Sequence, residues 1–311
     1  MDDLTNLRTT TGVHPYWWRS LLAHASAASQ ILIQLFKLRV VLLLLIAAAS
    51  GAVIGAAGWP GGKELLILMV TGGLTASGAS ALNQYLERER DSQMARTRRR
   101  PLPAGKITNP AIVLIASLVM IALGIISAAI FNPALAFFNA LGAVIYVGVY
   151  TLWLKPRSVV NIIIGGAAGS CAVLSGGAAA GAWSQPSVLA LAGLLFLWTP
   201  VHFWSLAMAY QKDYANAGFP MLPVNISGKQ AAGWVAVHTL GTGILAIGLA
   251  IHPQMGWLYL IPSLVSTLYL GVMTRQLYND PSPKTAFALF KYSNMYLGIL
   301  LLFAIIDLVW L

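Results

Sequence analysis

Asn83, Glu87 and Asp91 recur every four residues in the run NQYLERERDSQMARTRRRPLPAG, from Asn83 to Gly105. On a helix that spacing drifts by only about 40° per step, so the three side chains share one face, roughly 6 Å apart along the axis. Such a stripe of oxygen donors suits Mg²⁺, which is usually held by one or two carboxylates together with the phosphates of a substrate. Arg96, Arg98, Arg99 and Arg100 follow within one short loop, and guanidinium forks match phosphate oxygens. Acids beside bases point to a metal diphosphate. The competing reading is a solvated loop whose arginines fix membrane orientation and whose acids form surface ion pairs. Scarcity weighs against it: the chain has nine Asp and Glu in 311 residues, and Glu87, Glu89 and Asp91 lie together.

A second polar run, YQKDYANAGFPMLPV, extends from Tyr210 to Val224. Asp213 is the only acid between Asp91 and Asp280, which makes it a further metal ligand opposite Glu87 and Asp91. Lys212 and Tyr214 flank it, either to hold a diphosphate leaving group or to mark topology and anchor the chain at the membrane interface. Lys155 and Arg157 form a third basic cluster with the same two readings.

The elements that must position these groups are membrane helices. With 58% hydrophobic and 9% charged residues, the chain is expected to be an all-α, polytopic membrane protein. Spans long enough to cross a bilayer fall near 38–58, 65–86, 108–131, 134–153, 159–182, 187–210, 230–251, 255–274 and 291–311, a nine-helix bundle. Residues 1–36 then form a cytoplasmic or interfacial N-terminal segment. Residues 37–311 form a single transmembrane domain, with polar loops at 83–107 and 211–229. With a cytoplasmic N-terminus, every Lys and Arg except Lys63 falls in or at the edge of a cytoplasmic segment, as the positive-inside rule requires. The net charge of +10 therefore reflects topology and gives no reason to expect nucleic-acid binding. No targeting peptide is expected in the first 36 residues, and a bacterial inner membrane is the simplest location. His14–Trp18 (HPYWW) reads as an interfacial anchor. Cys171 is the single cysteine and cannot form an intrachain disulfide. The small residues around Gly72–Ser80 and Gly165–Gly177 let helices approach closely or make room for a ligand. Four helices separate the two polar loops, which hints at two related halves facing one cavity.

In these strings, with NIIIGGAAG from Asn161, TPVHFW from Thr199 and KDYANAGFPMLPV from Lys212, the chain resembles the UbiA superfamily of intramembrane prenyltransferases. It is most similar to the branch that farnesylates haem. The resemblance implies that the first motif falls on Asn83, Glu87 and Asp91, and the second on Lys212, Asp213 and Tyr214. Arg96, Arg100 and Lys155 would lie near the diphosphate. Glu87 stands where many relatives have Asp, FKLR at Phe36 lacks a common proline, and Val201 replaces another; none of these removes a ligand. The implied reaction transfers farnesyl from farnesyl diphosphate to the 2-vinyl group of haem B with addition of water, using Mg²⁺. Membrane lipid and, by implication, haem A synthase or terminal oxidase assembly proteins are its partners. His202 is either a haem contact, imidazole being a common axial ligand, with Trp198, Phe203 and Trp204 as walls, or a packing group. A different acceptor, a quinone ring or a chlorophyll-type molecule, would keep the same chemistry. A transporter would place its acids nearer the bilayer midplane, and a haem chaperone would need the histidines without Glu87 and Asp91.

Overall fold

The structure is a computed structural model that describes residues 28–310; the HPYWW run and most of the 1–36 segment lie outside the described residues. Among the described residues there is no strand, and nine helices are long and apolar enough to cross a membrane. They are α1 (Leu38–Ala56), α2 (Gly62–Ser92), α3 (Pro110–Phe131), α4 (Pro133–Leu154), α5 (Asn161–Ala179), α6 (Pro186–Ala209), α7 (Gly228–Ile251), α8 (Trp257–Asn279) and α9 (Pro283–Trp310).

Local chemistry sets most starts. Pro110, Pro133, Pro186 and Pro283 each occupy the first helical turn, where the missing N–H has no helical partner to lose. The Asn109 and Asn132 side chains accept from the free amides that follow. Ser227 and Gln230 close a reciprocal cap on α7. Several ends outrun the apolar segments that announce them. α2 continues to Ser92 instead of stopping near 86, α8 reaches Asn279, and α9 starts at Pro283, eight residues before the expected 291. Apolar content marks where lipid ends, whereas the backbone ladder continues until a breaker appears, and no Gly or Pro lies between Tyr85 and Ser92. The first ten residues of the expected 83–107 loop are therefore helix, and the 211–229 loop contains two short helical turns, Gln211–Asn216 and Leu222–Asn225.

Small residues set the tightest contact, where α1 crosses α5. A Cβ on Gly176 would collide with Ala48 O of α1, and one on Gly51 would collide with Val173 O of α5. Direct backbone approach of this kind is how helices associate in lipid, where no hydrophobic force separates side chain from solvent. We expect Gly176→Ala to destabilise the bundle by about 1–3 kcal/mol, read as detergent melting. Gly169→Ala on the same helix, whose Cβ would meet only Leu195 Cδ2 at 4.0 Å, should change little. Equal melting of the two variants would remove the crossing from this account.

Candidate active site

The last turns of α2 carry Asn83, Glu87 and Asp91, exposed by 2%, 6% and 3%. Charged side chains are so rarely this buried without partners that the partners define the site. Glu87 Oε1 accepts from Lys155 Nζ at 2.5 Å. Asp91 Oδ2 accepts from Arg100 Nη1 at 2.6 Å. Asn83 accepts from Lys37 Nζ at 2.6 Å through Oδ1 and donates from Nδ2 to Thr151 Oγ1 at 3.0 Å. Three chain segments, at Lys37, at Arg100 and at Thr151–Lys155, thus converge on one face of α2.

The 93–109 connection folds back over that face. Thr97 Oγ1 donates to Asp91 O at 2.9 Å, and Met94 is fully buried beneath the turn. Together they hold Arg100 against Asp91. From the second polar loop, Asp213 Oδ2 accepts from the Arg96 backbone N–H at 3.3 Å, and the Tyr214 hydroxyl accepts from Arg96 Nη2 at 3.4 Å. The Arg96 guanidinium also lies over the Tyr210 and Tyr214 rings, 5.9 Å from each. The two polar loops therefore meet, as the sequence suggests, and Arg96 joins them. Lys212 is exposed on the outer side of its turn.

Four site residues escape a reading of motifs: Lys37, Tyr146, Tyr150 and Thr151. The second half of α4, Val144–Leu154, is π-helical. Its i→i+5 pattern is visible in Lys155 N–H donating to Tyr150 O and Thr151 Oγ1 donating to Tyr146 O, both at 2.8 Å. In an α-helix, Tyr146 and Lys155 would be two and a half turns apart, on opposite faces. The wider turn brings both to the α2 side. π-Segments concentrate at functional sites, and here one aligns a stacked tyrosine pair, Tyr146 and Tyr150 with ring centroids 6.1 Å apart, with Lys155.

Lys37 sits at the elbow before α1 in the left-handed region, φ 49°, ψ 45°, a backbone state uncommon for a residue with a Cβ. Its ammonium donates to Asn83 and, at 2.9 Å, to the Tyr146 hydroxyl. Burial, reinforced by the positive field of Arg100, pushes the Lys37 pKa down to about 7. Gln84 fixes the elbow, donating from Nε2 to both Gln34 O and Leu35 O at 2.7 Å. The only sequence sign is a lysine directly ahead of an apolar run, which topology also explains.

Each acid of the site faces a donor, and among the described residues no three His, Cys, Asp or Glu side chains converge on one point. The donor set still fits Mg²⁺: Glu87, Asp91 and Asp213 supply hard oxygens, and their present partners are Lys155, Arg100 and the Arg96 amide, groups that equally serve phosphate.

His202 lies deeper, on α6. Its ring is stacked on Trp198 (4.6 Å, 16°) and packed against Phe290 (4.4 Å, 31°), and Nδ1 is bonded to Ser293 Oγ at 2.8 Å. These are the surroundings of a packing group. Of the four aromatic positions, Trp198 and Phe203 both touch the His202 ring, the latter edge-on at 5.0 Å, and Trp204 stands apart. Trp198 faces α9 and donates to Ser293 O, Phe203 is 36% exposed, and Trp204 turns toward His238 of α7. Offsets of four, five and six residues spread around a helix.

The UbiA prenyltransferase family matches residues 43–298. The protoheme IX farnesyltransferase of Sulfolobus acidocaldarius is 37% identical over 246 residues, covering 79% of this chain and 85% of that protein. That of Desulforudis audaxviator is 36% identical over 256 residues, covering 82% and 79%. Among solved structures, a UbiA homologue from Aeropyrum pernix K1 superposes with a TM-score of 0.70 at 17% identity, covering 86% of this chain and 98% of its own. A UbiA homologue from Archaeoglobus fulgidus bound to DMAPP and Mg²⁺ superposes with a TM-score of 0.63 at 17% identity, covering 88% and 98%. A bundle of membrane helices bearing an acid stripe and its basic partners at one end thus coincides with a sequence match over most of the length, and this chain belongs to the UbiA prenyltransferase family.

Proposed function

We propose that this enzyme transfers a farnesyl group from farnesyl diphosphate to the 2-vinyl group of haem B, giving haem O and diphosphate. The observation that carries the chemistry is the buried set of paired charges, Glu87 with Lys155 and Asp91 with Arg100, at one end of the bundle. The acceptor and chain length rest on the two relatives, both protoheme IX farnesyltransferases. Glu87, Asp91 and Asp213 would hold Mg²⁺, which when bound supplies positive charge to the diphosphate oxygens. Arg100 and Lys155 turn from the carboxylates, and Arg96 from Tyr214, to the phosphates, neutralising the charge that develops as the allylic C1–O bond breaks and its electron pair passes to diphosphate. C1 of the farnesyl cation bonds the terminal vinyl carbon. Water adds to the neighbouring carbon and releases a proton. Lys37 and Thr151 orient Asn83 beside this centre, and the Tyr146 and Tyr150 rings border it. We further propose that the site end of the bundle faces the cytoplasm across a bacterial inner membrane, in keeping with the position of the basic residues.

The direct test supplies membranes containing the enzyme with farnesyl diphosphate, haem and Mg²⁺, then extracts and weighs the pigment. A farnesylated hydroxyethyl haem is expected; unmodified haem alongside prenylation of a quinone or chlorophyll-type acceptor would replace this reading. His202→Ala provides a second check. It empties a stacked position, and we expect a loss of roughly 2–4 kcal/mol in stability, in the range of large-to-small core changes, with haem affinity of the folded fraction unchanged. A selective rise in the haem dissociation constant at wild-type melting temperature would instead make His202 a haem contact.

A further inference from the structure

A groove of about 420 Å³ opens between the site ends of α2 and α4. Its buried lining is functional: Glu87, 6% exposed and held by Lys155, and Thr151, 5% exposed and bonded to Asn83. Its outer rim is basic and apolar, formed by Arg90, Arg157, Leu86 and Leu152. Leu152 is 51% and neighbouring Trp153 60% exposed, so the opening lies at the lipid-facing side of the bundle, where an amphipathic ligand would arrive. Arg157 is braced, donating from Nη1 to Leu152 O at 2.8 Å and Trp153 O at 3.1 Å, which leaves guanidinium N–H groups for a ligand. Arg90 is steadied across the Phe219 ring at 5.2 Å. The one carboxylate on the rim, Glu89, contacts Arg88 at 3.4 Å. Neither Arg90 nor Arg157 contacts the acids of the catalytic cluster.

We propose that this groove receives the acceptor edge-on, with Arg90 and Arg157 binding the two carboxylates of a porphyrin dicarboxylate. The inference rests on the haem-farnesylation reading. Haem carries both propionates on one edge and both vinyl groups on the opposite edge. Carboxylates held at the rim send the vinyl edge toward Glu87 and Thr151, where the allylic cation forms. Guanidinium pairs are well matched to this task, since each can bind a carboxylate with two parallel donors. Their place at the membrane interface also lets the propionates stay near water while the ring enters an apolar slot.

The test compares haem with its dimethyl ester as acceptors for the wild type, Arg90→Gln, Arg157→Gln and the double variant, reconstituted in nanodiscs. KM for the acceptor and the dissociation constant of a prenyl diphosphate are both measured. In the wild type, esterification should raise KM by about tenfold, as expected for loss of charge-assisted hydrogen bonds. The double variant should show a similar rise for haem, no further penalty for the ester, and unchanged prenyl diphosphate binding. Arg90→Gln alone should show part of this effect without touching the carbonyls braced by Arg157. A double variant that uses haem with wild-type KM, or that still discriminates against the ester as strongly as the wild type, overturns the proposal. If the wild type yields no farnesylated haem at all, the underlying reaction assignment fails instead, a separate outcome.

Discussion

Asp91→Asn should lower turnover by about 10²–10³-fold, the scale observed when one preorganised electrostatic group is removed from a reaction centre, while the melting temperature stays close to that of the wild type. The substitution keeps shape and removes one charge. Arg100, the partner left behind, has a side chain 23% exposed and can reach water, so no stranded buried cation follows. Asp213→Asn should act in the same direction because Asp213 meets the same loop through the Arg96 amide. Product mass and thermal stability are measured on the same preparations across a Mg²⁺ titration. Near-wild-type yield at limiting Mg²⁺ would remove the carboxylates from the metal assignment.

The second large effect is on stability. Lys155→Met should destabilise the protein by roughly 3 kcal/mol or more, because it leaves Glu87 buried without its counter-charge. The Glu87 and Lys155 side chains are only 6% and 12% exposed, so solvent screening is weak. Combining it with Glu87→Leu should restore most of the melting temperature and none of the activity. That recovery separates a pair kept for chemistry from one kept for folding. If the double variant is no more stable than Lys155→Met, the ion pair is not the source of the loss.

The stripe Asn83, Glu87 and Asp91 was legible because α-helical spacing is a local property, and all three are buried on one face of α2. The meeting of the two polar loops was legible only from the parity of the spans; that Arg96 carries the contact, through its backbone amide and its guanidinium, depends on a turn no motif encodes. That Tyr146 would stand beside Lys155 was beyond reach for a different reason. Their common face depends on eleven residues adopting π geometry, and VIYVGVYTLWL reads as an ordinary apolar α-helical span. Around His202, Trp198 one turn earlier shares its face and Phe203 meets it edge-on, whereas Trp204 turns away to His238.

The length of α2 has a consequence for the fate of the products. At 31 residues it is about 46 Å long, well beyond the roughly 30 Å of bilayer hydrocarbon, and Glu87 and Asp91 lie in the last turns, past its apolar stretch. On the proposed site assignment, bond cleavage would take place on a phase boundary. The two products have opposite solubilities: diphosphate partitions to water, while the prenylated ring, now more lipophilic than its precursor, moves into the leaflet. Physical separation of the two opposes their recombination and helps drive the transfer forward.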